Sequence, residues 1–275
     1  MSTRLRDLLM GELETLRYEP TQKRIRATLG DRTVVDSTRA LLVWEPKRVV
    51  PSYATPLDDV DATIAPAPTD TPARDPDAIT APVLGDRPVL DPSIPFDVHS
   101  TEGERLTLRA DGREAAAFRP SDRALHDHVI LDFEGFDAWY EEDERNFAHP
   151  RDPFHRIDIV HSSRHVRVEV DGTTLAESRR PCLLFEPPLP VRYYLHPDDV
   201  RTDLLRPSDT RSACAYKGHA AYYSAPGADD VAWTYREPLR EASEVTNYIA
   251  FFNERADIVV DGERLERPIT PWSPR

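Results

Sequence analysis

The sequence predicts a mainly β protein, made of two tandem copies of a small antiparallel β-barrel-like or curled-sheet domain with a short helix in each, behind an N-terminal amphipathic helix. Three observations predict this class. The chain repeats itself: RIRATLGDRTVVDSTRALLVWEP in the first half matches VRVEVDGTTLAESRRPCLLFEP in the second. Each copy places β-rich runs around a Gly-Asp or Asp-Gly turn, the local signature of a hairpin. Both then reach a Tyr and an acidic, Pro-containing turn, YATPLDDV at 53–60 and YLHPDDV at 194–200. Repetition at this scale marks a duplicated structural unit. With 275 residues, each copy has enough chain for its own small core.

Leu5, Leu8, Leu9, Leu13 and Leu16 recur at helical spacing, so residues 1–19 read as the amphipathic helix. The first, degenerate copy is expected over 20–137, with a hairpin at 24–29 and 32–44 turning at Gly30-Asp31. Residues 61–95 are so rich in Pro, Ala, Asp and Thr that they read as a loop or disordered insertion. Strand patterning returns at 105–110, 114–118 and 128–133, and Glu134-Gly135 closes the copy. The aromatic, acidic, Pro-broken stretch 138–163 reads as a packed connector. The second copy, 164–268, opens at 164–170, turns at Asp171-Gly172 and continues through 173–178, 182–186 and Tyr193-Tyr194-Leu195. A helical turn at Pro197-Asp198-Asp199 and strands at 213–224 and 231–236 follow. Pro238 then opens a helix whose face carries Ala242, Val245, Ile249 and Phe252. The last strand, 257–260, reads as the counterpart of 129–135, and the two copies are expected to form an intrachain pseudo-dimer that needs no second chain.

A net charge of −14 works against the electrostatic term that dominates nucleic-acid binding, so nucleic acid is not an expected partner. No apolar run approaches the length of a membrane-spanning helix, and the charged N-terminus lacks the apolar core of a signal peptide. Membrane is therefore not expected either. Two cysteines, Cys182 and Cys214, give neither a tetracysteine zinc site nor a disulfide framework, and a cytoplasmic location is expected. His149, His155, His161 and His165 fit no helix face and read as exposed polar residues. No metal and no cofactor are expected.

The candidate site lies in the second copy, because only it contains Cys214-Ala215-Tyr216-Lys217-Gly218. Three lysines stand against thirty-two arginines, so Lys23, Lys47 and Lys217 draw attention as amines kept where guanidinium would serve for charge alone. Lys217 sits among Tyr194, Tyr216, Tyr222, Trp233 and Tyr235, rings with polar tips that suit a pocket wall as well as a core. Glu186 is its simplest partner. Glu45 holds the same place in the first copy, which makes the Glu-Pro pair a feature of the fold. Read as one strand, 213–224 would put Cys214 and Lys217 on opposite faces, and Gly218 marks a bulge that could re-aim them. Two functions are compatible with this set. One is a binding domain for a small anionic or carbonyl-bearing molecule, held by Lys217 with Glu186, Tyr194, Gly218, Tyr222, Trp233 and Tyr235 around it. The other is an enzyme using Lys217 or Cys214 as nucleophile or base and Tyr216 or Tyr222 as proton donor. A purely structural pseudo-dimer is the third possibility.

The order ESRRPCLLFEP, RYYLHPDDV, CAYKGHAAYYS, VAWTYREPL and IAFFNER resembles the bacterial domain-of-unknown-function family 427, in tandem form, over residues 20–268. The resemblance implies a small β-barrel-like fold and a cytoplasmic bacterial protein, and no activity. A nucleotidyltransferase-like label attached to that family finds no machinery here. An Asp-x-Asp, Asp75 to Asp77, lies in the Pro-rich stretch, and no paired carboxylates stand ready for Mg²⁺.

Overall fold

A computed structural model describes residues 2–68, 73–79, 83–84 and 87–274. The chain divides into two compact units, one of Met1–Pro82 with Pro88–Asp152, the other of Val83–Arg87 with Pro153–Arg275. Each is mainly β and holds a seven-stranded and a four-stranded antiparallel sheet, all open, so neither unit is a closed barrel among the described residues.

In the first unit the seven strands lie in the order Arg17–Pro20, Leu41–Trp44, Ser52–Pro56, His128–Leu131, Arg113–Pro120, Gly103–Ala110 and Thr63–Pro66. In the second the order is Asp158–His161, Cys182–Phe185, Arg192–Leu195, Ile249–Phe251, Ala228–Tyr235, Gly218–Ala225 and Arg206–Cys214. Taken in chain order, these are the same sheet. The four-stranded sheets correspond as well: Arg32–Ser37, Ile25–Leu29, Ala138–Glu141 and Glu144–Asn146 match Thr173–Ser178, Val166–Val170, Asp257–Val260 and Glu263–Arg264.

Period-2 patterning explains the packing. Ile25, Ala27 and Leu29 point inward from one strand, as Val166, Val168 and Val170 do from its counterpart. Each joins the core between the two sheets of its unit. Both hairpins even carry the same irregularity, at Ala27/Thr28 and at Val168/Glu169. The opposite face of the seven-stranded sheet differs. In the first unit it is a small apolar cluster with Leu41, Val43, Ala54, Phe118 and Ile130. In the second it carries Cys182, Tyr194, Trp233, Tyr235 and Phe252, and the candidate site lies there.

Several expectations are corrected. The N-terminal α-helix covers only Leu5–Gly11, and Arg17–Pro20 pairs with Leu41–Trp44 instead of continuing it. Sheet pairing prevails over a leucine pattern whose first members, Leu5, Leu8 and Leu9, stay exposed. Much of the Pro-rich stretch belongs to the fold. Thr63–Pro66 forms an edge strand, where a proline is tolerated, and Val89, Leu90 and Ile94 are buried. The buried Arg48 guanidinium donates to the carbonyls of Ile94 (2.8 Å) and Val98 (2.9 Å), supplying the partners that a strandless segment lacks. Residues 69–72, 80–82 and 85–86 of this stretch lie outside the described residues.

Residues 138–146 are not a connector. They pair with Ile25–Leu29 and complete the first unit, which runs to Asp152. The counterpart of Asp257–Val260 is therefore Ala138–Glu141, and that of Val129–Leu131 is Ile249–Phe251. The helix expected after Pro238 is a 3-10 helix, Arg240–Val245. Asn247 takes a positive φ of 62° just beyond it, and Ile249 enters the sheet. Among the described residues, no helix is long and apolar enough to cross a membrane.

Candidate functional site

The Cys-Ala-Tyr-Lys-Gly motif is not a bulged strand. It is the tip of a hairpin, in which Cys214 pairs with Gly218 across a turn at 215–217. Gly218 sits at φ +93°, a left-handed conformation that a side chain would strain. The alternation that would have separated Cys214 from Lys217 therefore does not apply. The tip is folded inward: Ala215, Tyr216 and Lys217 are all buried, and the Leu239 N–H donates to the Lys217 carbonyl at 3.1 Å.

The Lys217 Nζ forms an ion pair with Glu186 Oε2, both side chains about nine-tenths buried, at 11% and 10% exposure. Burial alone would discourage the ammonium, but Cys214, Glu186 and Tyr194 lie close enough to outweigh it and raise the lysine pKa. Burial likewise opposes the Glu186 carboxylate, yet Lys217 and His155 hold it well below the ordinary range. A buried pair satisfied on both sides in this way stays ionised. Beside it, the Trp233 indole N–H donates to the Tyr194 hydroxyl at 3.0 Å, and burial pushes the Tyr194 phenol up to about 12. Burial also raises Tyr235 well above the ordinary phenol range, with Tyr194 adding to the effect. Both tyrosines are therefore neutral hydroxyls and not phenolates at neutral pH.

Cys214 and Tyr222 are half-buried, and the Tyr222 hydroxyl bonds the Ser212 Oγ at 2.8 Å. Lys217, Glu186, Tyr194 and Cys214 thus come together electrostatically, with Trp233, Tyr235 and Tyr216 packed around them. Two further residues join them: His155, expected to be an exposed polar residue but half-buried, and Arg156, which carried no signal in the sequence. The His155 Nε2 stands 3.7 Å from Glu186 Oε1 with its ring over Tyr216, and the Arg156 guanidinium lies 5.0 Å from the Tyr216 ring centre. The other histidines do not converge: His161 meets Cys182, and His165 meets Glu177. His149, expected to be exposed, is buried with its Nδ1 2.8 Å from the Pro150 carbonyl. No group of three or more His, Cys, Asp or Glu among the described residues is arranged to hold a metal ion.

Residues 158–262 match the sequence profile of a family described as Domain of unknown function (DUF427). This stretch is similar to that family. The DUF427 match spans the second unit's strands from Asp158 to Val260, leaving out Glu263–Arg264, and includes Glu186, Tyr194, Lys217 and Trp233. No curated protein matches the chain.

Sheet register shows how the first unit treats the same positions. Tyr194 pairs with Ala250 as Ala54 pairs with Ile130, and Trp233 pairs with Ala250 as Phe118 pairs with Ile130. Tyr222 faces Trp233 where Arg105 faces Phe118, and Tyr235 faces Ala220 where Pro120 faces Gly103. Three residues before Ala220 and Gly103 stand Lys217 and Ser100. Only the acid is shared. Glu45 is buried like Glu186, but it accepts from the Ser100 N–H at 3.1 Å and meets His99 Nδ1 at 2.9 Å, with the His99 ring stacked on Phe118.

Proposed function

We propose that the second unit is a binding domain for a small molecule bearing an anionic or carbonyl oxygen, which Lys217 receives beside Cys214 and Tyr222. One observation carries this reading: a charged amine is kept in a nearly dry, aromatic setting three residues before the strand position Ala220, where the first unit has Ser100 three residues before Gly103. The same strand order in both units supports a duplicated DUF427-like fold of which only one copy keeps the site. A small molecule suits the net charge of −14 better than nucleic acid does, and two free cysteines suit a cytoplasmic location.

A structural reading competes, favoured by the contact between Lys217 and Glu186: the lysine would neutralise the Glu-Pro acid as His99 and Ser100 do for Glu45. A thermal-shift screen of metabolite anions and carbonyl compounds, followed by Lys217→Arg, separates the two. On the binding reading, Lys217→Arg abolishes the shift given by a hit while the unliganded melting temperature stays near wild type, because charge is kept and shape is not. Undiminished binding by Lys217→Arg removes the lysine from the site.

A further inference from the structure

Pro153–Ile157 leads from the first unit's last residue, Asp152, into the first strand of the second, and it lies outside regular structure. Instead of running clear of the second unit, it crosses the hairpin tip at 215–217. Its His155 ring lies roughly parallel to Tyr216 at 6.3 Å, and the Arg156 guanidinium sits over the same ring. The His155 Nε2 approaches Glu186 Oε1, the oxygen that Lys217 does not use. Arg156 is tied down by an ion pair with Glu241, on the 3-10 helix Arg240–Val245. Phe154, between the flanking Pro153 and His155, is 74% exposed.

The clips on Arg156 are of the weak kind, and His155 stands 3.7 Å from Glu186, beyond ordinary hydrogen-bond length. Arg156 and Glu241 are 42% and 26% exposed, and an ion pair in that setting is screened and contributes little. A cation over an aromatic ring at a partly exposed position adds a similarly small amount. The group they cover is of the opposite kind, a buried and paired ammonium. A weakly clipped segment over a strongly held charge opens locally at far lower cost than the unit unfolds.

We propose that residues 153–157 are a strap over the Lys217–Glu186 pair, and that its release is what admits a ligand to the amine. The proposal rests on the reading of Lys217 as a binding group, but its test needs no ligand. The chain has three lysines, so reductive methylation with formaldehyde, read by peptide-resolved mass spectrometry, reports on each amine separately. Lys23 and Lys47, with side chains 40% and 25% exposed, serve as references within the same molecule.

Arg156→Ala and Glu241→Ala cut the strap's anchor from its two ends and touch neither Lys217 nor Glu186. Each is expected to raise Lys217 methylation about tenfold relative to Lys23 and Lys47, with circular dichroism unchanged. Unaltered Lys217 labelling in both folded variants overturns the strap. Should Arg156→Ala fail to fold, Arg156→Gln keeps a long polar side chain and carries the same test. The labelling outcome stands whether or not a metabolite screen finds a binder, so failure of the strap and failure of the binding reading are told apart.

Discussion

The two units build the same pair of sheets and then finish one face of the larger sheet differently. Their shared parts are those a backbone needs. Ser37 donates to Asp59, which also holds Arg39, and the Arg39 N–H donates back to Ser37; Ser178, Asp199 and Arg180 repeat every one of these bonds. The bridge from Val35 to Val60 recurs as that from Ala176 to Val200. The unshared parts are side chains on one face: Ala54, Ser100, Phe118 and Pro120 against Tyr194, Lys217, Trp233 and Tyr235. Arg192, paired bidentately with Glu254 at 2.7 Å and buried against Trp233 and Phe252, stands where the first unit has Ser52. Since the first unit folds the same sheet without either buried ion pair, neither pair is a requirement of the topology. Buried ion pairs are weak sources of stability compared with apolar packing, so neither topology nor stability accounts for their confinement to one copy.

The strongest way to break that comparison is to remove the lysine. Lys217→Met leaves the Glu186 carboxylate buried with only the more distant His155, and a loss of about 3–5 kcal/mol is expected in urea unfolding. The double change Lys217→Met with Glu186→Gln should restore a large part of it, because the uncompensated charge has gone. In the first unit, Ser100→Ala leaves the backbone N–H that serves Glu45 in place, and a loss of no more than about 1 kcal/mol is expected. Equal losses for Lys217→Met and Ser100→Ala would mean that the lysine neutralises nothing of consequence.

A smaller effect sharpens the contrast from the other side. Two residues beyond the equivalent Ile130 and Ala250 stand Asp132 and Phe252, so here the first unit carries the charge. Burial raises the Asp132 carboxyl from 3.8 to about 6, and Asp97 and Glu134 push the same way against the Glu134 N–H bond. A carboxyl raised on folding binds its proton more tightly in the native state. Its contribution is thus most favourable at pH below the unfolded value of 3.8 and is lost as pH rises through about 6. Asp132→Asn, which keeps an acceptor for Glu134, is expected to stabilise the protein at pH 7 by about 1–2 kcal/mol, allowing for partial exposure. It should also flatten the stability profile between pH 4 and 6. A profile unchanged by Asp132→Asn would show that another group titrates there.

The fold was legible where its signals were local. Gly30-Asp31 and Asp171-Gly172 mark their hairpins, and Glu45-Pro46 and Glu186-Pro187 set the register of the repeat. Boundaries were not legible where a distant residue supplied the partner. Arg48 orders a Pro-rich segment more than forty residues away, and Ala138–Glu141 joins the first unit's sheet against the distant Ile25–Leu29. In the site, the lysine, its acid and the aromatic set were readable as an unusual cluster. The hairpin tip was not, because a glycine after Tyr-Lys serves a bulge or a turn equally well and only the pairing of Cys214 with Gly218 decides. His155 and Arg156 carried no periodic signal at all, since their relation to Tyr216 and Glu186 is made by the path of an irregular segment.

The smallest expected effect tests what the units share. In each, one serine hydroxyl donates to an aspartate of the following 3-10 turn and accepts an arginine N–H, fixing the chain where it leaves the four-stranded sheet. The donor-acceptor distances are 2.6 Å for Ser37 to Asp59 and 2.7 Å for Ser178 to Asp199. Both serines are buried and both aspartates are partly so, at 17% and 18% exposure. Matched geometry and matched burial imply matched energies. Ser37→Ala and Ser178→Ala are each expected to lose about 1 kcal/mol, a hydrogen bond to a charged group with a backbone N–H left to find water. The sites lie in separate units and share no partner, so the double variant should lose about the sum, within about 0.5 kcal/mol. Urea unfolding of the two single variants and the double variant measures all three. A loss confined to one serine would mean that the repeated network is a likeness of form only, and that the divergence of the units reaches the turns as well as the site.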